Sequence, residues 1–235
     1  MKMYNRILLK ISGEALAGDK RFGIDQSVLS NICRAVKDVT DLGVEVAIVV
    51  GGGNYLRGRE CVGMDHVRAD HMGMLATVIN SIAVGDCLEK LGLEVRVMTA
   101  LAMQQIAELY IRNRAVRHLE KGRVIILACG TGSPFFSTDT TAALRAAEIG
   151  ADIIFKASLV DGVYDMDPHK FPNAKKYDRL NFSDVLSGRL AVIDSTAATM
   201  CRDNKIPILV FDLTDPENIV RAARGENIGT IIEEA

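Results

Sequence analysis

The sequence predicts an α/β protein, a three-layer α/β/α sandwich with a central, largely parallel sheet. Short runs rich in β-branched residues alternate with helical patterns along the chain, which is typical of βαβ units. Two of these runs, 46–50 and 124–128, are apolar on both faces and therefore need helices on both sides. The predicted strands lie at residues 6–11, 44–50, 95–98, 124–128, 152–156, 206–211 and 230–233.

The composition is that of an ordinary globular protein of 235 residues. Hydrophobic residues make up 49% and charged residues 25%, which excludes the disordered and collagen-like classes. Lys and Arg total 28 against 30 Asp and Glu, and the resulting net charge of −2 argues against a general binder of nucleic acid or anionic membranes. No repeat or Pro/Ser-rich linker divides the chain, so we expect one domain spanning residues 1–235.

The sequence also bears on location and on metal binding. Its longest unbroken apolar run, 124–129, has six residues, whereas a membrane helix needs about 20. The first residues lead into a predicted strand without the apolar region of a signal peptide, and we expect a cytoplasmic protein. Five widely spaced cysteines form no C-x-x-C pair, so we expect reduced thiols and no metal site.

Three segments between the strands have recognisable patterns. Asp25 can cap an amphipathic helix that Gly43 closes in the left-handed conformation. Segment 66–91 is helical but apolar nearly all round, more than a one-sided surface helix needs. Either a second subunit covers the excess or the helix is buried within its own domain, and the pattern leaves both open. The stretch 161–181, rich in turn residues, predicts a loop or hairpin excursion.

Four polar or glycine-rich segments directly follow predicted strands, at the sheet edge where α/β proteins bind ligands. Lys10, Ser12 and Gly13 offer a phosphate a cation, a hydroxyl and an open backbone amide, although a lysine at a strand end can also be simply solvated. The glycine run that opens 51–58 lets a phosphate approach backbone amides, and Arg57 can bind two phosphate oxygens. The alternative for that run is a tight turn.

The third and fourth segments add polar groups and aromatic rings. Segment 130–139 carries hydroxyls, glycines and two phenylalanines, which can bind a polar ligand and enclose an aromatic ring. Thr138 or Asp139 can cap a following helix at 140–149. Segment 156–168 has aspartates that can orient a lysine, hold Mg²⁺ through water or bind ribose, but it also contains common turn dipeptides.

Together the four segments predict phosphoryl transfer, in which positioning and charge neutralisation provide most of the catalysis. The glycine run does not fit the dinucleotide fingerprint G-x-G-x-x-G, because Leu56 or Tyr55 stands where a glycine is needed. A Walker A loop is excluded as well, because no Gly-Lys dipeptide occurs in the chain. No H-E-x-x-H or G-x-S-x-G motif competes. His66 and His71, five residues apart on the predicted helix, are interpreted as structural or exposed.

In this order the segments resemble the amino-acid kinase family, and within it the bacterial-type uridylate kinases (UMP kinases). The resemblance runs almost end to end. Its two most specific strings are D-H-M-G-M-L-A-T at 70–77 and T-G-S-P-F-F-S-T-D at 131–139. Other members of the family share the lysine and the glycine loops but not these two strings. Further similar segments are 6–16, 51–58 and 160–164.

The resemblance implies transfer of the γ-phosphoryl group of ATP, with Mg²⁺, to UMP, in de novo pyrimidine nucleotide biosynthesis. The N-terminal part would hold UMP and the C-terminal part ATP. The implied catalytic residues are Lys10, Arg57 and Asp161, with Asp139 and Asp194 as supporting acids. The implied ATP-binding residues are Lys10, Ile11, Ser12, Gly13, Gly53, Arg57, Ser158, Tyr164 and Asp167. The implied UMP-binding residues are Gly52, Asp70, Thr131, Gly132, Ser133, Pro134, Phe135, Phe136, Ser137 and Thr138.

The resemblance further implies a homohexamer, built as a trimer of dimers, that GTP activates and UTP inhibits. The implied allosteric residues are Gly18, Asp19, Lys20, Arg21, Phe22, Gly23, Arg96 and Arg123. The sequence departs from the family pattern at Gly85, where some relatives have an arginine, and at Leu159, where a lysine is common.

Two other functions remain open from the sequence. Another member of the same family would act on a carboxylate, a carbamate or a different monophosphate, although a carboxylate acceptor would not need Asp70 or the loop 131–138. A nucleotide-binding regulatory or storage protein would keep the fold without turnover. Intact Lys10, Arg57 and Asp161 argue against that function, because binding alone needs no complete transition-state clamp.

Overall fold

The computed structural model describes residues 3–56, 63–166, 168, 170–171, 173–188, 190 and 192–234. The strands of this part of the chain are β1 (Arg6–Ile11), β2 (Glu45–Val50), β3 (Val95–Thr99), β4 (Glu108–Leu109), β5 (Val124–Ala128), β6 (Ile153–Ser158), β7 (Val163–Tyr164), β8 (Lys176–Tyr177), β9 (Arg179–Asn181), β10 (Ile208–Asp212) and β11 (Thr230–Glu233). The α-helices are α1 (Gly13–Ala17), α2 (Gln26–Asp41), α3 (His66–Lys90), α4 (Arg112–Glu120), α5 (Thr138–Ile149), α6 (Phe182–Ser187), α7 (Ser195–Asp203) and α8 (Glu217–Ala223), and a 3₁₀ turn spans Gly18–Lys20.

Nine of the described strands form one central sheet, in the order β4-β3-β5-β2-β1-β6-β10-β11-β9. Neighbouring strands are parallel except β10 and β11, which confirms the predicted largely parallel sheet. β1 lies in the middle between β2 and β6. The segments that leave the carboxyl ends of these three strands therefore start at the same edge of the sheet.

Helices cover both faces of the sheet, as the three-layer sandwich predicts. On one face, α2, α3 and α8 pack over buried side chains that include Leu9 of β1 and Phe155 of β6. On the other face, α4, α5 and α7 enclose a second core that includes Leu8 and Ile154. All residues of β5 are buried, which agrees with the run 124–128 being apolar on both faces.

The predicted cap of the helix after β5 is wrong. The helix begins at Thr138 rather than at residue 140, and Ser137 caps it by accepting the N–H groups of Asp139 and Thr140, each at 3.0 Å. Neither Thr138 nor Asp139 is the cap, because one lies inside the first turn and the carboxylate of the other bonds two lysines instead. Ser137 therefore satisfies the backbone N–H groups at the start of α5, and the carboxylate of Asp139 remains available to the site.

The other helix ends and the hairpin agree with the sequence. Asp25 caps α2 by accepting the backbone N–H groups of Ser27 and Val28, and Gly43 has a φ of 80°. The stretch 161–181 contains the β7–β8 hairpin, as predicted, and then the edge strand β9, which was not predicted. β4 and β9 have two and three residues, too few to produce a periodic pattern.

The long helix α3 is buried on one side and exposed on the other. Its buried side includes Val84 and Leu88. Four large apolar side chains remain 42% to 50% exposed and form what we call the α3 stripe: Met72, Leu75, Ile79 and Ile82. Complete burial within its own domain is therefore wrong for this helix. By length and composition α3 could cross a membrane, but half of its most apolar stretch is buried in the fold, as in a core helix.

Candidate functional site

Two lysines lie side by side beneath the candidate site. Lys10 on β1 and Lys156 on β6 are direct partners in the parallel register, so both side chains leave the same face of the sheet. Both bind the carboxylate of Asp139 in the first turn of α5: Lys10 Nζ lies 2.9 Å from Oδ1, and Lys156 Nζ bonds Oδ2. The side chains are largely buried, with 11% exposure for each lysine and 17% for the aspartate.

Burial and charge oppose each other in this group. Burial alone would raise the pKa of the Asp139 carboxyl, but the charges of Lys10 and Lys156 outweigh it and hold that pKa below its usual value. Burial, followed by the charge of Lys10, lowers the pKa of Lys156, although Asp139 and Asp194 act in the opposite direction. Asp194 lies in the same group, so two cations face two carboxylates, and of the two lysines it is Lys10 that lines the cavity where an anionic ligand can bind.

Asp194 ties two helix N-termini together at the rim of the site. It caps α7 by accepting the N–H of Ala197 at 2.9 Å. The same carboxylate accepts the hydroxyl of Thr140 at 3.0 Å and that of Ser137, the cap of α5. The first turn of α5 therefore lines the same cavity as Lys10, and the dipole at this helix N-terminus favours an anion there.

The glycine loop after β2 packs directly against the turn after β1. A Cβ atom at Gly13 would lie 2.7 Å from the amide nitrogen of Gly53 and 2.8 Å from the carbonyl oxygen of Gly51, so only glycine permits this approach. Behind the loop, the buried amides of Asn54 and Asn80 bond each other at 2.7 and 3.0 Å. Asn80 also donates to the Gly51 carbonyl at 2.7 Å, which attaches the loop to α3.

We expect Gly13→Ala to lower the free energy of unfolding by about 1–3 kcal/mol, because its methyl group must displace backbone atoms of the glycine loop. Gly73→Ala is the matched control: no atom lies within 4 Å of the added methyl group, and Gly73 is inside α3. This control is expected to raise stability by about 0.5–1 kcal/mol. Urea unfolding measures both changes, and a Gly13→Ala protein as stable as the wild type would contradict the close packing.

The opposite wall of the cavity comes from α3 and the loop before α5. The carboxylate of Asp70 accepts the backbone N–H of Phe135 at 2.7 Å. His66 lies 3.3 Å from the same carboxylate, and its ring stacks on Phe135 with centroids 4.9 Å apart. Phe135 has a φ of 71°, in the left-handed region. His66 is exposed, as predicted, but it also lines the cavity, which the sequence interpretation missed.

These walls enclose a cavity of about 700 Å³. The predicted residues that line it are Lys10, Ser12, Gly13, Gly52, Gly53, Asp70, Thr131, Phe135, Phe136, Ser137 and Thr138. Ile11 is wholly buried in the core and is not among the residues of the described chain that line the cavity. Gly132 packs against Ala100 and Leu101, beside the cavity. Ser133 and Pro134 belong to the same loop but are not among the lining residues of the described chain.

The structure places Asp161 outside this cavity. Asp161 lies in a separate depression of about 340 Å³, together with Asp212 and Lys176. Partial burial would raise its pKa, but hydrogen bonds from Tyr164 at 2.8 Å and Lys176 at 3.1 Å hold that pKa below its usual value. Ser158 is half-buried at the end of β6. Arg57 and Asp167, both predicted site residues, lie outside the described residues.

The segment predicted to bind a regulator lies next to the glycine loop. Four of its residues, with Glu14 and Gly53, line a second cavity of about 750 Å³: Gly18, Asp19, Arg21 and Phe22. Lys20 pairs with Asp25 at 3.1 Å, and no atom lies within 4 Å of a Cβ built on Gly23. Arg96 and Arg123 lie at the opposite edge of the sheet, near the start of β3 and just before β5. A single chain therefore does not bring the two groups together.

Comparison with known proteins places the chain in a family. The model of the amino acid kinase family matches residues 5–212. A UMP kinase from Bacillus anthracis is 40% identical with a TM-score of 0.95, covering 98% of this chain and 96% of that one. A UMP kinase from Ureaplasma parvum is 36% identical with a TM-score of 0.93, covering 98% and 99%. A uridylate kinase from Archaeoglobus fulgidus is 30% identical with a TM-score of 0.73, covering 99% and 100%. The chain belongs to the amino acid kinase family and, within it, groups with the UMP kinases.

Proposed function

We propose that this protein transfers the γ-phosphoryl group of ATP to UMP, giving UDP and ADP. The observation that carries the proposal is the cavity in which Lys10, the glycine loop and Asp70 meet. UMP kinases from two bacteria align with this chain over nearly their whole length, at 40% and 36% identity. No other function is favoured by a specific feature of the site.

The chemistry needs charge neutralisation more than proton transfer. A phosphate monoester has a second pKa of about 6, so the acceptor is already an anion at neutral pH and needs no general base. Lys10, the glycine loop and the first turn of α5 all line the cavity. These groups bring two mutually repelling polyanions together and stabilise the charge on the transferring group.

The two nucleotides enter from different sides in this proposal. UMP binds with its phosphate on Gly52 and its ribose hydroxyls on Asp70, while the loop 131–138 encloses the uracil. ATP binds with its phosphates on Lys10, Ser12 and Gly53, together with Arg57, and its nucleoside toward Ser158, Tyr164 and Asp167. Asp161, held by Tyr164 and Lys176, orders the loop on the ATP side. In this proposal the acceptor uses α3 and the loop before α5, and the donor uses the turn after β1 and the segment that follows β6.

Mg²⁺ enters with ATP, because this ion usually keeps several waters and is held by substrate phosphates with one or two carboxylates. The donor set near the cavity fits that mode. Asp194 and Asp139, the carboxylates beneath the rim, already accept bonds from hydroxyls or lysines, so the substrate phosphates and water would supply most of the ligands. When bound, the ion would neutralise charge on the β- and γ-phosphates. Within the described chain no group of three or more His, Cys, Asp or Glu side chains is arranged to hold a metal ion.

A panel of nucleoside monophosphates tests the proposed substrate. ADP formation from Mg²⁺-ATP is measured in turn with UMP, CMP, AMP and GMP, and a carboxylate or carbamate acceptor serves as the test of the other family chemistries. Turnover of UMP well above the rest supports the proposal. Turnover of CMP or AMP without UMP, or no turnover of any acceptor, would overturn it.

Self-association and nucleotide control belong to the same proposal. We infer a homohexamer in the cytoplasm, with GTP as activator and UTP as inhibitor. The exposed α3 stripe supports a contact with another copy, because contiguous exposed apolar side chains mark interaction surfaces. The cavity beside segment 18–23 supports a regulator site close to the glycine loop. Initial rates with added GTP or UTP test the regulators directly.

Charges placed in the α3 stripe are expected to reduce the oligomer. Leu75→Glu combined with Ile79→Glu puts two carboxylates where apolar side chains would be buried against another copy, and each buried charge is costly. Sedimentation velocity should show a smaller species than the wild type. Glu89→Ala, at an exposed position of the same helix, is the control and should leave the mass unchanged. An unchanged mass for the double variant would exclude the stripe from the interface.

A further inference from the structure

We propose that Lys156 is a positioning residue for phosphoryl transfer: it shares the Asp139 carboxylate with Lys10 and so prevents Lys10 from being held in a one-to-one ion pair. The proposal rests on the proposed function, because it concerns how Lys10 reaches the transferring phosphate. Neither the motif pattern nor the resemblance assigned a role to Lys156.

The geometry that carries the proposal is set by the fold. The register of β1 and β6 makes Lys10 and Lys156 direct neighbours, and both reach Asp139 on α5 from below. They use different oxygens of that carboxylate. Lys10 lines the cavity, whereas Lys156 is not among its lining residues in the described chain. Lys10 therefore faces the ligand, and Lys156 acts only through Asp139.

A charge count explains why the second lysine matters. Lys10, Lys156, Asp139 and Asp194 lie together, two cations with two carboxylates. Asp194 is occupied by hydroxyl groups and by the α7 cap, so Asp139 is the carboxylate that binds lysine. Without Lys156 the group carries a net negative charge, and Asp139 pairs with Lys10 alone. An incoming triphosphate would then compete with a buried carboxylate for the ammonium it needs.

The pKa shifts in this group agree with Lys10 lining the cavity and Lys156 acting through Asp139. Burial and the charge of Lys10 lower the pKa of Lys156, so two adjacent cations are kept in place mainly by Asp139 between them. Among the described residues, Cys201 of α7 is a further titratable group beside these acids, and its pKa is raised to about 12 by burial and by both aspartates. This thiol is neutral at physiological pH and does not alter the count.

The test removes the charge of Lys156 and keeps its size. Lys156→Gln retains a hydrogen-bond donor to Asp139, and Lys156→Arg is the matched variant that also retains the charge. The first measurement is labelling of Lys10 by an acetylating reagent, followed by mass spectrometry of the folded protein without nucleotides. Lys10 should be labelled about tenfold more slowly in Lys156→Gln, because a one-to-one ion pair with Asp139 keeps its amine away from the reagent. It should be labelled at the wild-type rate in Lys156→Arg.

The second measurement separates positioning from binding. Lys156→Gln should lower kcat by about 10- to 100-fold with the KM for UMP within about threefold of the wild type, as for residues that orient a group in direct contact with substrate. A purely structural role would change neither the labelling of Lys10 nor kcat of the folded enzyme. Unchanged labelling, a parallel loss of kcat and UMP binding, or equally slow labelling in Lys156→Arg would each overturn the proposal.

A second variant keeps the test decisive if Lys156→Gln does not fold. Asp139→Asn combined with Lys156→Gln removes both partners, so no carboxylate is left to pair with Lys10 at that position. Lys10 should then be labelled at least as fast as in the wild type, and slower labelling would contradict the proposal. Because labelling needs no substrate, its result is independent of the monophosphate panel, which decides the proposed function separately.

Discussion

Replacing Lys10 by alanine is expected to lower kcat by about 1000-fold while UMP binding changes little, since a preorganised donor to the transferring phosphate acts mainly in the transition state. Lys10 is the lysine of the buried pair that lines the cavity. Its loss leaves Asp139 bound to Lys156, so the carboxylate keeps one cation and the floor of the site stays paired. The acceptor-side groups on α3 and in the loop before α5 are untouched.

The measurement combines steady-state kinetics with titration calorimetry of UMP. Lys90→Ala serves as the control, because Lys90 is 73% exposed and pairs with Asp86 at the far end of α3. That control should match the wild type in kcat and in the dissociation constant of UMP. If Lys10→Ala loses UMP binding as well as turnover, Lys10 belongs to the acceptor side and the proposed division of the cavity is incorrect.

Asp70→Asn should raise the KM for UMP by about 10- to 100-fold, while the KM for ATP stays within about twofold. The substitution preserves the shape of the side chain and one oxygen to accept the Phe135 N–H, which lies 2.7 Å away in the wild type. It removes the charge and one acceptor, and a hydrogen bond to a charged group contributes about 1.5–3 kcal/mol. We expect the KM for UMP to change, and not that for ATP, because Asp70 lies on the α3 wall of the cavity, across from Lys10.

Asp86→Asn is the matched control on the same helix. The side chain of Asp86 is 60% exposed and pairs with Lys90, away from the cavity. Both variants are compared by initial rates over a grid of UMP and ATP concentrations. Equal increases in the two KM values for Asp70→Asn would show that the residue supports the site as a whole and does not recognise the acceptor.

The central strands could be predicted because runs of apolar residues in the sequence indicate buried strands. β1, β5 and β11 occur at the predicted residues, and the runs that are apolar on both faces lie in the middle of the sheet. The edge strand β9 depends on pairing with β11, a strand far along the chain, which no local pattern encodes, and β4 beside β3 has only two residues. The cap of α5 is Ser137 rather than the predicted Thr138 or Asp139. The carboxylate of Asp139 instead binds two lysines on the sheet, a tertiary contact that the local sequence does not show.

The site could be predicted in part. The rule that ligands bind at the carboxyl ends of the strands correctly brought the segments after β1, β2 and β5 to one cavity. The rule did not predict that the fourth segment contributes to two different places. Its Lys156 lies beside Lys10, whereas its Asp161 lies in another depression. Lys156 was not identified, because its role follows from strand register rather than from a motif. The spacing of four residues between His66 and Asp70 on a predicted helix was the available signal for the cavity wall.

A crystal structure of the protein with UMP and a non-hydrolysable ATP analogue tests the central claim most directly. The expected result is a γ-phosphate within hydrogen-bonding distance, about 3 Å, of Lys10 Nζ, with the UMP phosphate on the glycine loop and the two in line for transfer. The ribose of UMP should bond Asp70. Phosphates bound away from Lys10, or both nucleotides in the depression beside Asp161, would contradict the proposed site.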